Sequence, residues 1–393
     1  MRSRQRLLSA IRGEPVDRVP WSPFLAYYWE HLPLETQKMG QFEYFRQMGA
    51  DPLLRGFHVL SKCTYKNCEI EEKRIGKESF RTYRTPVGSL HERSVLSDRG
   101  NTWFLVDHPV KTAEDFKILQ YIHEHMVIEP DPARFEADCK QFGDDALLLP
   151  LLGVHNKTAF QSMVEHWAGT VDLTYALYDE PEAVEECLAV MQARDEETVR
   201  NAINSSADGF IFWEDSSTTN ISPAFFEKYT KPEIDRWGDM VHRNGKLLVH
   251  HACGHLKDLL PLMGQSSIDA VESISPPPTG NVTLQEAAAI LPEHIALIGG
   301  LEPVRLLNRT VDDVRHDAEA LLHDLAGRRF VLANSDSCPP GVAYEKFLRL
   351  ANWYPANPNK RRYLYVCKSD WYPSHCPEGS GPGGIPQNRS LLP

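Results

Sequence analysis

The stretch GKLLVHHACGHLKDLL, residues 245–260, places His250, His251, Cys253 and His255 within six positions, directly after an apolar run. Imidazoles and thiolates are the side chains that bind soft divalent metals. In an extended chain, residues i and i+2 point to the same face. His251 and Cys253 therefore form a pair, and His250 points the other way. Gly254 lets the chain turn sharply afterwards. A second thiol, Cys338 in ANSDSCPPG, completes a set of one imidazole and two thiolates that suits Zn²⁺, with Glu272, a water or a substrate as fourth ligand. A plainer reading of the same residues stands beside it: a cysteine at a strand end is often a small buried hydrophobe, and its histidine neighbour merely hydrogen-bonded. His255 reads as the start of the next helix. Glu214 and Asp215, at the end of DGFIFWED, are candidates for catalysis or for capping and ion pairing. His155 and Asn156, after ALLLPLLGV, are candidates for substrate binding.

These residues lie far apart in the chain, so a fold must bring them together. Eight short apolar or β-branched runs alternate with helical patterns: 19–26, 53–57, 146–154, 208–215, 246–251, 269–274, 294–300 and 329–335. Most are apolar throughout, as in parallel strands covered on both faces. The pattern predicts a (β/α)8 TIM barrel, whose strand C-termini would gather the candidates at one mouth. An open doubly wound sheet is the alternative, but no strand-linked G-x-G-x-x-G supports it. Residues 69–108 break the rhythm and read as a β-hairpin insertion after the second strand. The first helix should end near Gly13, and Pro232 should kink the helix that begins at Ser222. Residues 1–355 are expected to form a single barrel domain. Residues 356–393, rich in Pro, Gly and Ser, are expected to be a poorly ordered tail carrying Cys367 and Cys376.

The chain of 393 residues is 42% hydrophobic and 24% charged, a globular composition, with a net charge of −12 that argues against nucleic acid as partner. No run is apolar enough to span a membrane and no signal peptide is evident, so a cytoplasmic location with reduced thiols is expected.

Several segments resemble signatures of the uroporphyrinogen decarboxylase superfamily: RLLSAIRGEPVDRVP at the start, HPVKTAEDFK (108–117), YDEPEAVEECL (178–188), ISPAFFEKYTKPEID (221–235) and VHHACG (249–254). The decarboxylases of that superfamily carry an arginine-bearing motif after the first strand. Here there is no arginine from Trp21 to Phe45, so the cations for a porphyrinogen polycarboxylate are missing. The resemblance instead implies the zinc-dependent methyltransferase branch, which is similar to methylcobamide:coenzyme M methyltransferases. It implies zinc held by His251, Cys253 and Cys338, with Glu272 as a further ligand. It also implies a corrinoid such as methylcobalamin, carried by a partner protein, and a small thiol or methylated small molecule as the other substrate. A metal-independent tetrapyrrole decarboxylase, and a non-catalytic corrinoid-binding protein with structural zinc, are the rival expectations.

Overall fold

The computed structural model describes residues 1–97 and 102–353. The expected tail at 356–393, with Cys367 and Cys376, lies outside the described residues. Among the described residues, thirteen strands form three sheets. The strands are β1 (Leu53–Val59), β2 (Ser61–Tyr65), β3 (Glu69–Ile75), β4 (Glu78–Thr85), β5 (Gly88–Leu96), β6 (Trp103–Asp107), β7 (Met126–Pro130), β8 (Leu147–Leu151), β9 (Gly209–Glu214), β10 (Leu247–Ala252), β11 (Ala270–Glu272), β12 (Ala296–Leu301) and β13 (Phe330–Asn334). β1 and β8 to β13 make one parallel sheet in that order. It is curled, so that residues on its two faces fall into two separate cores. The inner core packs Leu53, Leu147, Leu149, Ile211, Leu247 and Val249 against Leu7, Leu8 and Ile11 of the first helix. The outer core packs alternate strand residues against the surrounding helices, as the period-two geometry of a strand requires. The result is an α/β, TIM-like barrel.

Residues 19–26, expected as a strand, contribute a single parallel bridge between Trp21 and Leu332. Pro20 and Pro23 have no N–H to donate, which limits the ladder to a few bonds. Those bonds still join the sheet's two ends: Ser22 N–H donates to Leu332 O (2.9 Å), Leu332 N–H to Pro20 O (3.0 Å), and Asp51 N–H, just before β1, to Trp21 O (2.7 Å).

After β1 the chain leaves the parallel sheet. β3 to β6 form a four-stranded antiparallel sheet, larger than the hairpin the sequence suggested, and β2 pairs antiparallel with β7. With the Trp21 bridge counted as the first position of the parallel sheet, β1 is its second. The first helix, Ser3–Arg12, stops at Gly13, whose φ of +75° is left-handed. The helical run from Pro223 to Arg243 carries a π-turn at Phe226–Thr230, just ahead of Pro232. Among the described residues no helix is long and apolar enough to cross a membrane.

Candidate active site

β1, β10 and β11 each send one ionisable side chain into the top of the barrel. Arg55 and Glu272 are fully buried, with Arg55 Nε 2.5 Å from Glu272 Oε1. Glu272 is the parallel-register neighbour of His251, and its Oε2 lies 2.7 Å from His251 Nδ1. Ser273 Oγ is 3.1 Å from the same nitrogen. Phe24 covers this row, its ring centroid 4.7 Å from the Arg55 guanidinium carbon and 5.8 Å from the His251 ring. Burial opposes charge on His251, but the Glu272 carboxylate outweighs it and raises the pKa. Burial likewise opposes ionisation of Glu272, and Arg55 and His251 together hold its pKa below the ordinary value. A carboxylate on Nδ1 fixes the ring's orientation and leaves Nε2 as the nitrogen for further chemistry.

Cys253 lies just past the end of β10, its Sγ 3.8 Å from Glu214 O and 3.9 Å from Asp215 Oδ1. Burial raises its pKa well above the ordinary value, and Asp336, Asp215 and Glu165 add to the rise. The free side chain is thus a protonated thiol, and a nearby cation would be needed to make it a thiolate. Asp215 is raised too, by burial and then by Glu165 and Asp336, while Asn220 donates to its Oδ2 at 2.8 Å. Lys157 pairs closely with Glu165 beside this group. Glu214 points elsewhere: its Oε1 accepts the Thr158 N–H at 2.7 Å, its Oε2 is buried with no hydrogen-bond partner among the described residues, and burial pushes its pKa up to about 8.

The expected ligands part company here. His251 and Cys253 reach the same mouth, with Asp215 beside them. Glu272 uses one oxygen on Arg55 and the other on His251, so it stands behind the imidazole. Cys338 is fully buried. Its N–H donates to Phe24 O (2.9 Å) and its carbonyl accepts the Tyr28 N–H (2.8 Å), and Tyr28 in turn meets Phe347 of the helix Tyr344–Trp353 edge-on at 5.2 Å. The Cys338 Sγ has Pro339 O at 3.8 Å. Among the described residues no group of three or more His, Cys, Asp and Glu side chains is gathered closely enough to hold a metal ion. The donors at the mouth fit zinc in kind, with an imidazole whose other nitrogen is held by a carboxylate. They do not fit it in number. His250 faces outward and stacks on Phe212 with centroids 4.6 Å apart. His155 packs against His166 and Trp167. Asn156 takes a left-handed φ of +66° and its carbonyl accepts the Trp213 N–H at 2.7 Å.

Sequence reasoning passed over four contributors. Arg55 had a visible signal, a charge inside the apolar run LLRGF. Asp336 had none: its φ of +131° breaks the alternation by which side-chain direction is counted. Lys157 and Glu165 lie on either side of a short helix, and nothing in their spacing points at Cys253.

A TIM-like barrel with a histidine–carboxylate pair and a thiol at its strand C-termini defines an α/β enzyme framework of the kind that hosts many reactions. The sequence profile of the uroporphyrinogen decarboxylase (URO-D) family matches residues 157–354, half of the chain, and the chain belongs to that family. No sequence among curated proteins matches it. Among solved structures it is similar to a methyltransferase from Methanosarcina mazei, at 14% identity and a TM-score of 0.60, over 91% of this chain and 100% of that one. It also aligns with a B12-independent methionine synthase from Shewanella sp. W3-18-1, at 11% identity and a TM-score of 0.44, over 88% of this chain and 98% of that one. The first of these likenesses supports the fold.

Proposed function

We propose that this protein transfers a methyl group between a corrinoid carried by a partner protein and a small thiol or other small methyl acceptor or donor, and that it recruits zinc at His251 and Cys253. The observation that supports this reading best is the His251–Glu272 pair beside Cys253. An imidazole held at Nδ1 by a buried carboxylate is the arrangement that orients a metal-ligating histidine. Zinc bound there would supply Lewis acidity, and a third protein donor is still required. In the thiol-methylating direction the sulfur must lose its proton, and the Asp215 carboxylate beside Cys253 is placed to take it at Oδ1. Phe24 and Trp213 wall the site below and keep water from the Arg55–Glu272–His251 row. The methyl carrier must be presented from outside, because the inner core fills the barrel beneath this row.

The charge at the mouth, Asp215, Asp336 and Glu165 against Lys157, would repel a porphyrinogen polycarboxylate. This disfavours decarboxylation of such a substrate.

The test is twofold. The purified full chain should carry one zinc, which Cys253→Ala and His251→Ala should remove, while Cys338→Ala reports whether that thiol is the third donor. It should also move the methyl of methylcob(III)alamin to a thiol, followed by the change in corrinoid absorbance. Glu272→Gln should slow this by about 10- to 100-fold. Zinc retained in both Cys253→Ala and His251→Ala would sink the metal assignment. Undiminished methyl transfer in Cys253→Ala would sink the site.

A further inference from the structure

A second cavity, of about 540 Å³, lies between the antiparallel sheet and the parallel barrel. Tyr65, Tyr83 and Trp103 form one side, and His155, His166 and Trp167 the other. Its size is that of a small-molecule site, since such pockets run from about 300 to 1,000 Å³ and about 150 Å³ already holds a benzene ring. Four of these six residues offer flat aromatic carbon, and their rings also pack on one another: Tyr83 lies 5.4 Å from Trp167 and His155 5.7 Å from it. Such walls favour a planar ligand that can stack or meet ring edges.

The polar groups narrow the class. Arg81 is the cation on the lining, and it is already paired with Glu92 (3.1 Å) and Glu72 (3.1 Å). Glu72 is also held by Arg74 at 2.7 Å, and Tyr83 donates to Glu92 at 3.2 Å. Each charge is answered within the wall, so a ligand carboxylate or ammonium would find no free counter-charge. Two buried polar atoms of the wall, His155 Nδ1 and Trp167 Nε1, have no hydrogen-bond partner among the described residues. Both imidazoles are held neutral, His155 by burial and then by His166, and His166 by burial and then by Lys157, its pKa lowered to about 4. Lys157 and Glu165, which act on His166, act on the Cys253 thiol as well.

We infer that this cavity binds an uncharged planar aromatic ligand with a polar edge group. The further statement that its occupant is the small-molecule partner of methyl transfer rests on the reading above.

Naphthol is the probe, titrated calorimetrically into the full chain alongside naphthoate and the saturated decahydronaphthol. Naphthol should bind saturably, and the other two at least about tenfold more weakly. Trp103→Ala, on a partly exposed strand, should weaken naphthol roughly three- to tenfold, the worth of one ring contact, with an unchanged unfolding midpoint. Tyr83→Phe keeps the ring and should bind within about twofold of the parent. Equal binding of all three probes, no saturable binding of naphthol, or wild-type affinity in Trp103→Ala would overturn the assignment. Naphthol binding is read without any methyl transfer, so the two readings fail separately. Binding without activity would remove the reaction and leave the ligand site. Cysteine-dependent methyl transfer that naphthol neither binds nor inhibits would remove the ligand site alone.

Discussion

Replacing Asp195 by asparagine should make this protein more stable at alkaline pH. Asp195 lies on the helix Pro181–Ala202 and Glu233 on the helix Lys231–Arg243. Both are buried, and the Asp195 charge acts on Glu233. Asp195 Oδ1 also accepts the Val154 N–H at 2.6 Å, and Glu233 Oε2 the Ala159 N–H at 3.0 Å. Together they hold the segment that carries His155 to the aromatic cavity and Lys157 to its pairing with Glu165. Burial pushes the Asp195 pKa from 3.8 up to about 7, and burial with the Asp195 charge raises Glu233 well above its ordinary value. A carboxyl whose pKa is raised by folding keeps its proton in the native state while the unfolded chain loses it. The group's contribution is therefore fully present below 3.8 and is lost as pH rises through about 7. That rise of about 3 units, at about 1.4 kcal/mol each, amounts to at most about 4 kcal/mol. Asparagine keeps the acceptor for Val154 and does not ionise. Urea unfolding of both proteins, from about pH 4 to pH 8.5, gives the effect as a difference that cancels titrations distant from this pair and leaves that of Asp195 together with the response of Glu233. Asp195→Asn should match the wild type near pH 4 and gain steadily above it, up to the ceiling of about 4 kcal/mol. Glu233→Gln should act with the same sign. A difference that does not change with pH, or one that grows toward acid, would refute the reasoning.

Two further outcomes probe the mouth itself. Glu272→Ala leaves Arg55 buried without its counter-charge, and should cost about 3–5 kcal/mol in urea unfolding; a loss under about 1 kcal/mol would show that the row is solvated. In the folded protein, iodoacetamide should label the partly exposed Cys253 well before the fully buried Cys338, since burial and charge raise both thiols and only access separates them. Mass spectrometry of peptides after timed labelling checks this, and equal rates would mean that the Cys338 segment turns toward solvent.

The parts of the site that could be read from the chain are those on regular strands. Counting by twos along β10 separates His251 from His250 correctly, because 247–252 is extended throughout and its outward residues meet Phe212 and the helices. The same count fails at ANSDSC. Ser335 and Asp336 leave the strand, Asp336 with φ of +131°, and two residues later Cys338 is fully buried with its backbone tied to Phe24 and Tyr28, while the Asp336 charge acts on Cys253. Glu272 shows a different limit. Its position on a strand end was legible, but its partners depend on the register of β11 against β10 and on Arg55 crossing from β1, neither of which local pattern contains. Burying a carboxylate between an arginine and a histidine only makes sense once all three are in one layer, since each alone would carry a penalty of several kcal/mol. The shortened first strand follows the same logic from the other direction: Pro20 and Pro23 lack N–H groups, which cuts the ladder that the apolar residues of 19–26 suggest to the single bridge at Trp21. What periodicity cannot supply is therefore the third donor at the mouth. If zinc loading proves to depend on Cys338, the segment from Ser335 to Pro339 must take a second backbone path, and the labelling rate of Cys338 should then fall further when zinc is added, which is a change the folded arrangement alone does not predict.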